Sequence, residues 1–222
     1  MRNPATASLL LTVAAAIGAS SQTSTPQSLT AGAWTVTWTA DAGRATHKNG
    51  RVVSLWEQPQ PEPGCDVLAS GTLLSVVGTI VSFETSVGGH CKGSAHGFAD
   101  QMFQVVDLAR SGDSHQREVT LYEFFDKAQV QRALDADPFL RDIRADKDWS
   151  CTYSLEDFER SFAFHHTKGD KVAVRIGLTH GCEVARGYLT QLGLLLKPRP
   201  EFLAELRQAE KAGTLMNRLR SR

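Results

Sequence analysis

The spacing of apolar and polar residues divides this chain into short extended segments, with helices between and after them. In WTVTWT, residues 34–39, bulky and polar side chains alternate with a period of two. Trp34, Val36 and Trp38 are therefore predicted to share one face of a strand. Asn49-Gly50 marks a turn, and RVVSLWE at 51–57 is the next strand. QPQPEPG at 58–64 holds three prolines in seven residues and is predicted to be irregular. Trp56 beside it reads as a core side chain, with a contact role as the alternative. Residues 71–85 give the strongest strand signal, β-branched and aromatic, and Gly78 near the centre predicts a bulge or a close backbone approach. A glycine- and histidine-rich loop follows at 88–97, and QMFQVVDL at 101–108 returns as the partner strand.

Beyond residue 111 the period lengthens. Thr120 and Glu123 have the spacing of a capping box, and Asp126 can cap a helix over 127–136 with Val130 and Leu134 on one face. Pro138 is predicted to end it, Phe139 and Leu140 to pack inward, and the alternating charges of 141–148 to face solvent. Ser154 with Asp157 is a second cap signature. FAFHH, a Lys-Gly-Asp turn and KVAVRIGL read as a hairpin over 162–178. A second glycine-containing loop at 179–187 and an apolar segment at 189–196 follow. Pro200 then opens a helix with Phe202, Leu203, Leu206, Ala209, Met216 and Leu219 as its apolar stripe. These elements predict an α+β fold: a twisted, mostly antiparallel sheet with helices at 120–136, 154–161 and 200–219 packed on one face.

The N-terminus changes the setting. Arg2, an apolar run of about 13 residues at 7–19 and small residues after it have the layout of a secretory signal peptide. That run is shorter than the roughly 20 residues needed to span a bilayer. Residues 1–20 are thus read as the signal, 21–28 as a polar linker and 29–222 as one domain that is secreted or periplasmic. No later stretch is apolar and long enough to cross a membrane, so no span is expected after cleavage. The 222 residues carry 24 Lys plus Arg and 24 Asp plus Glu, a net charge of zero that calls for no nucleic-acid partner. The basic excess of 197–222 reads as a solvated helix face rather than a site for anionic polymer or lipid.

Export gives the cysteines a meaning. Cys65, Cys91, Cys151 and Cys182 are an even set in an oxidising compartment, and two disulfides are the default. Of three connectivities, Cys65–Cys91 with Cys151–Cys182 is favoured because each pair brackets a strand-rich stretch. Each would contribute about 3–4 kcal/mol on the chain-entropy model. A zinc site is the competing reading, but His90-Cys91, His96 and the His180-x-Cys182 pair lack zinc-ligand spacing, so no metal or other cofactor is expected. The loop glycines Gly88, Gly89, Gly93 and Gly97 allow backbone N–H groups to line a concave nest. With His90, Ser94, His96 and, from the second loop, His180, they form the candidate ligand-binding set. The alternative for His90 and His96 is a turn tied down by hydrogen bonds. No nucleophile elbow or H-E-x-x-H motif occurs. Asp107 or Glu123 with His96 would be needed for acid–base chemistry, so no catalytic residue is assigned and an enzyme is the minority reading.

The order of strand, GG loop with GSAHG at 93–97, strand ending Asp107-Leu108, turn, VTLYEFF at 119–125 and helix resembles the extracellular domain of RsiV-type lysozyme-sensing anti-sigma factors, also found beside cell-wall polysaccharide deacetylases. The likeness covers 72–196. It departs at Gly93-Ser94, where the family pairs glycines, at Glu123, where it has Asp, and at 178–187, where a Tyr-rich segment is replaced. The resemblance implies a non-enzymatic binding or accessory domain of the cell envelope, with a lysozyme-like protein or peptidoglycan as partner. The alternative is a His- or metal-dependent cell-wall hydrolase. Intact mass of the exported chain should show loss of the first 20 or so residues, no bound metal, and four thiols that alkylate only after reduction. Free Cys91 or stoichiometric zinc would overturn this reading.

Overall fold

The protein, seen as a computed structural model, is described over residues 25–60, 62–111, 118–145, 155–178 and 190–220. The signal segment, Cys151, Cys182, His180 and the 179–187 loop lie outside the described residues, as does Ser154.

Among the described residues ten strands form three antiparallel sheets where the sequence predicts one. The first is a meander of β1 (Gln27–Ala31), β2 (Trp34–Trp38), β3 (Ala42–His47) and β4 (Val52–Glu57). The period of two in β2 holds: Trp34, Val36 and Trp38 are buried and the threonines between them are not. The linker expected to run to residue 28 ends earlier, because Gln27 and Ser28 already pair with Trp38 and Thr37.

The second sheet is β5 (Cys65–Val77), β6 (Ile80–Cys91) and β7 (Phe98–Asp107), with β6 in the middle. Residues 71–85 are two strands and not one. Gly78 adopts φ +58° in a tight turn with Thr79 and reverses the chain, so Val77 pairs with Ile80. The bulge lies elsewhere, at Leu74, between the Leu73↔Phe83 and Ser75↔Ser82 pairs. The third sheet is β8 (Phe162–Lys168), β9 (Lys171–Leu178) and β10 (Thr190–Leu196), in the order β10-β9-β8.

Helix signals also translate with changes. Thr120 to Glu123 closes only a 3-10 turn, Leu121–Glu123, in which the Glu123 carboxylate accepts from the Thr120 N–H at 3.1 Å. Asp126 caps α1 (Lys127–Ala136) by accepting from the Gln129 N–H at 2.9 Å. Pro138 ends α1 and starts α2 (Pro138–Ala145), where its missing N–H costs nothing in the first turn. Starting there turns Leu140 inward, 2% exposed, and leaves Phe139 36% exposed instead of packed. After α3 (Leu155–Arg160), the last predicted helix is split in two. Gly213 takes φ +70° and separates α4 (Pro200–Ala212) from α5 (Met216–Leu219). Beside that break Thr214 bonds both polar groups of Val76: its carbonyl accepts from the Val76 N–H at 2.8 Å and its hydroxyl donates to the Val76 carbonyl at 2.6 Å. The helices touch two sheets, β5–β7 and β8–β10, rather than lying over a single face.

The β5–β6–β7 sheet is the middle layer. Leu73, Val76, Val81, Phe83 and Val106 face the meander, whereas Val77, Ile80 and Val105 join the core built with β8–β10 and the helices. Leu74 and Phe103 meet Ala163 and Met216 in a third cluster. Trp56 belongs to the core, as the sequence reading preferred. Its ring lies between Gly43 of β3 and Gly71 of β5, and a Cβ on either glycine would overlap the indole. Gly71→Ala is therefore expected to lower stability by about 1–3 kcal/mol through overpacking. Urea denaturation followed by Trp fluorescence checks this, and an unchanged midpoint would mean that Trp56 does not hold the meander to the middle layer.

Candidate functional site

Only the inner half of the middle sheet is covered. None of residues 65–70, 84–91 and 98–102 is buried, so the outer half of β5–β6–β7 stands out as an arm with solvent on both faces. Its far end is closed by the Cys65–Cys91 disulfide between directly opposed residues of β5 and β6, one of the two pairings the sequence favoured. The turn beyond is pinned by Lys92 N–H to the Gly64 carbonyl at 2.7 Å. Ser94 adds two bonds to the Cys91 carbonyl, at 3.0 Å from its N–H and 2.7 Å from its hydroxyl.

The candidate loop is shorter than the sequence suggests. Gly88, Gly89 and His90 are strand residues: Gly88 pairs with Leu68 and Ala99, Gly89 with Val67 and Phe98, and His90 with Asp66. Being in the central strand, the two glycines are flanked by ladders on both sides, and the open turn comprises residues 92–97. Their role is close approach. A Cβ at Gly89 would strike the Asp66 carbonyl and crowd the Phe98 ring, and one at Gly97 would press on the Gly89 carbonyl at 2.9 Å. Gly93 needs its freedom for φ +91°. Ser94 is spent on the turn, and His90 and His96 are both exposed. The structure thus gathers Gly88, Gly89, His90, Gly93, Ser94, His96 and Gly97 at the arm's outer end.

One face of the arm carries a shallow groove of about 300 Å³. Gly88 leaves its floor bare between Leu68 and Ala99, and Ser70, Ser86 and Gln101 supply polar rims. Leu68 is 80% exposed, and on the opposite face Phe98 is 43% exposed. Toward the body, Glu84 accepts from Gln101 Nε2 at 2.5 Å and from Arg220 Nη2 at 2.6 Å, which ties the arm's root to the segment after α5. Arg220 and, through Asp170, Lys197 spend part of the C-terminal basic excess on ion pairs. The β5 edge is sealed by Gln58, whose side-chain amide both donates to and accepts from the Ala69 backbone as a neighbouring strand would. Leu68 and the Gln58 seal were missed from sequence, since neither shows outside its strand register.

The acid–base alternative does not assemble. Asp107 closes β7 and His96 precedes its first residue, so they stand about 30 Å apart along the strand. Asp107 and Glu123 instead share Arg110, in an ion pair with each. Burial would push the Asp107 carboxyl up. Hydrogen bonds from Arg110, Thr79 and the Ala109 N–H outweigh it and hold the carboxyl below its usual range. Among the described residues no three His, Cys, Asp or Glu side chains come together as metal ligands.

Compared with known proteins, the chain matches no family model, no curated protein and no solved structure.

Because its folded carboxyl is the stronger acid, Asp107 contributes its full stability above the unfolded value near pH 4 and loses it as pH falls through the lowered folded value. Asp107→Asn should cost about 1.5–3 kcal/mol at pH 7 and flatten the acid limb of stability. Urea titrations at pH 3 and pH 7 test both. Equal losses at the two pH values would show that the charge is not what matters.

Proposed function

We propose that this chain is an exported, non-enzymatic binding or accessory domain of the cell envelope, and that it takes hold of a protein or cell-wall glycan with the β5–β6–β7 arm. The observation that carries the reading is the arm itself: an extension exposed on both faces, closed by a disulfide, presenting Leu68 and Phe98 to water. Among the described residues neither face of this sheet end is buried, and its groove with the exposed Leu68 and Phe98 leaves it open to a partner. The disulfide is compatible with an extracellular or periplasmic setting, as is the lack of a helix long and apolar enough to cross a membrane among the described residues. The likeness to the lysozyme-sensing domains supports a lysozyme-like protein or peptidoglycan as the partner and rests on the sequence pattern alone.

The test is a pull-down and titration against lysozymes and purified peptidoglycan. A Leu68→Ser, Phe98→Ser double variant removes the apolar side chains, and Gly88→Leu fills the groove floor, where an added Cβ meets nothing closer than 3.4 Å. Both variants should keep the thermal midpoint and lose at least about tenfold in affinity, the equivalent of roughly 1.4 kcal/mol. Binding at wild-type strength by both would remove the arm as the site.

A further inference from the structure

The least expected juxtaposition in the fold is a pair of histidines outside the arm. Consecutive residues of a strand point to opposite faces, so His165 and His166 should not meet. They meet because β8 is bulged: the register with β9 shifts between Phe164 and His166 and leaves His165 as the extra residue. The two Nδ1 atoms are 2.7 Å apart, with ring centroids at 4.9 Å and planes at 75°. At that distance one Nδ1 carries a proton and the other offers a lone pair.

The bulge lies where three units join. On one side the Phe164 N–H donates to Ser75 Oγ of β5 at 3.2 Å. On the other the Thr167 N–H donates to Glu210 Oε2 of α4 at 2.5 Å. The pair can accept one proton at a distal ring nitrogen and keep its bond. A second proton puts N–H against N–H and two positive charges in contact. Arg175 of β9 and Arg220 beyond α5 oppose that state, and Glu210 of α4 favours it. Glu84 of β6 is engaged by Arg220 and Gln101. From β5 the group bonded beside the bulge is the uncharged Ser75 hydroxyl. Burial is the largest influence on His165 and, with Arg175, His166 and Arg220, holds its pKa below the ordinary histidine value against the pull of Glu210.

We propose that the His165–His166 pair is a proton-operated latch: in neutral solution it holds the β8 bulge between the middle sheet and α4, and in mildly acid solution it lets that segment go. The sign follows from linkage. The folded protein takes up the last proton less readily than the unfolded chain does. The latch's contribution is therefore complete above about pH 6.5 and is lost as pH falls toward the lowered folded value.

The experiment uses the full chain with its Cys65–Cys91 disulfide intact, in chelator, between pH 8 and pH 5. Imidazole nitrogen spectra should show the His165–His166 bond at pH 8 and its loss only as His165 takes up a proton below the ordinary histidine range. Amide exchange, corrected for its intrinsic pH dependence, should lose about tenfold protection at Phe164 and Thr167 on acidification. His166→Phe keeps an aromatic ring and should abolish this dependence. His165→Gln, a milder change, should reduce it and serves if the first variant does not fold. The proposal is overturned if His165 titrates as an isolated imidazole, or if protection at the two amides is the same at pH 7.5 and pH 5.5. It is equally overturned if His165→Gln leaves the pH dependence of the wild type.

Discussion

Burial of one half of the β5–β6–β7 sheet on both faces is the constraint from which the rest of the architecture follows. That half contributes to all three apolar clusters among the described residues. The meander closes its own Trp34, Val36 and Trp38 face against this half, and the β8–β10 unit reaches the middle layer through Ala163 and Gly177, the latter against the Phe103 ring. Small residues recur at these joints: Gly43 and Gly71 admit Trp56, and Gly177 admits Phe103. The approach of layers is set where side chains are absent, and the apolar energy comes from the large residues that fill the space, each worth about 1.5–3 kcal/mol when fully buried.

The same sheet gives the protein its exposed end. Strands of 13, 12 and 10 residues outrun the layers that cover them, and what projects cannot be explained as core. Its polar chemistry is mild. His90 and His96 stand in solvent, and the charged groups that are organised, Asp107 with Arg110 and Glu123, hold the turn after β7 at the opposite end of the sheet.

What could be read from the sequence was local. The alternation of WTVTWT, the Asp126 cap, the β8–β9 hairpin and the Cys65–Cys91 pairing each depend on neighbours or on a simple bracket of strands, and each is present. Gly78 misled because apolar residues continue on both sides of it, so a reversal of direction leaves no break in the pattern. Gly88 and Gly89 misled in the other sense: glycines suggest a loop, but here they let Phe98 and the Asp66 carbonyl approach a strand. Partition into three sheets depends on which strand edges meet, which no period records. The histidine pair was invisible for the same reason, since a bulge is a property of two strands together.

The position of the Cys65–Cys91 bond has a mechanical consequence. An antiparallel pair pulled at its free ends normally opens like a zipper, one ladder bond at a time. Here the outer ends of β5 and β6 are joined covalently, so a load applied at the tip cannot separate these strands from that side. The tension runs along both strands at once to the covered half, where ladder bonds are shielded from water and must yield together in shear. A partner that tugs on the tip therefore pulls on the body of the protein, and the arm behaves as a tether and not as a peeling flap.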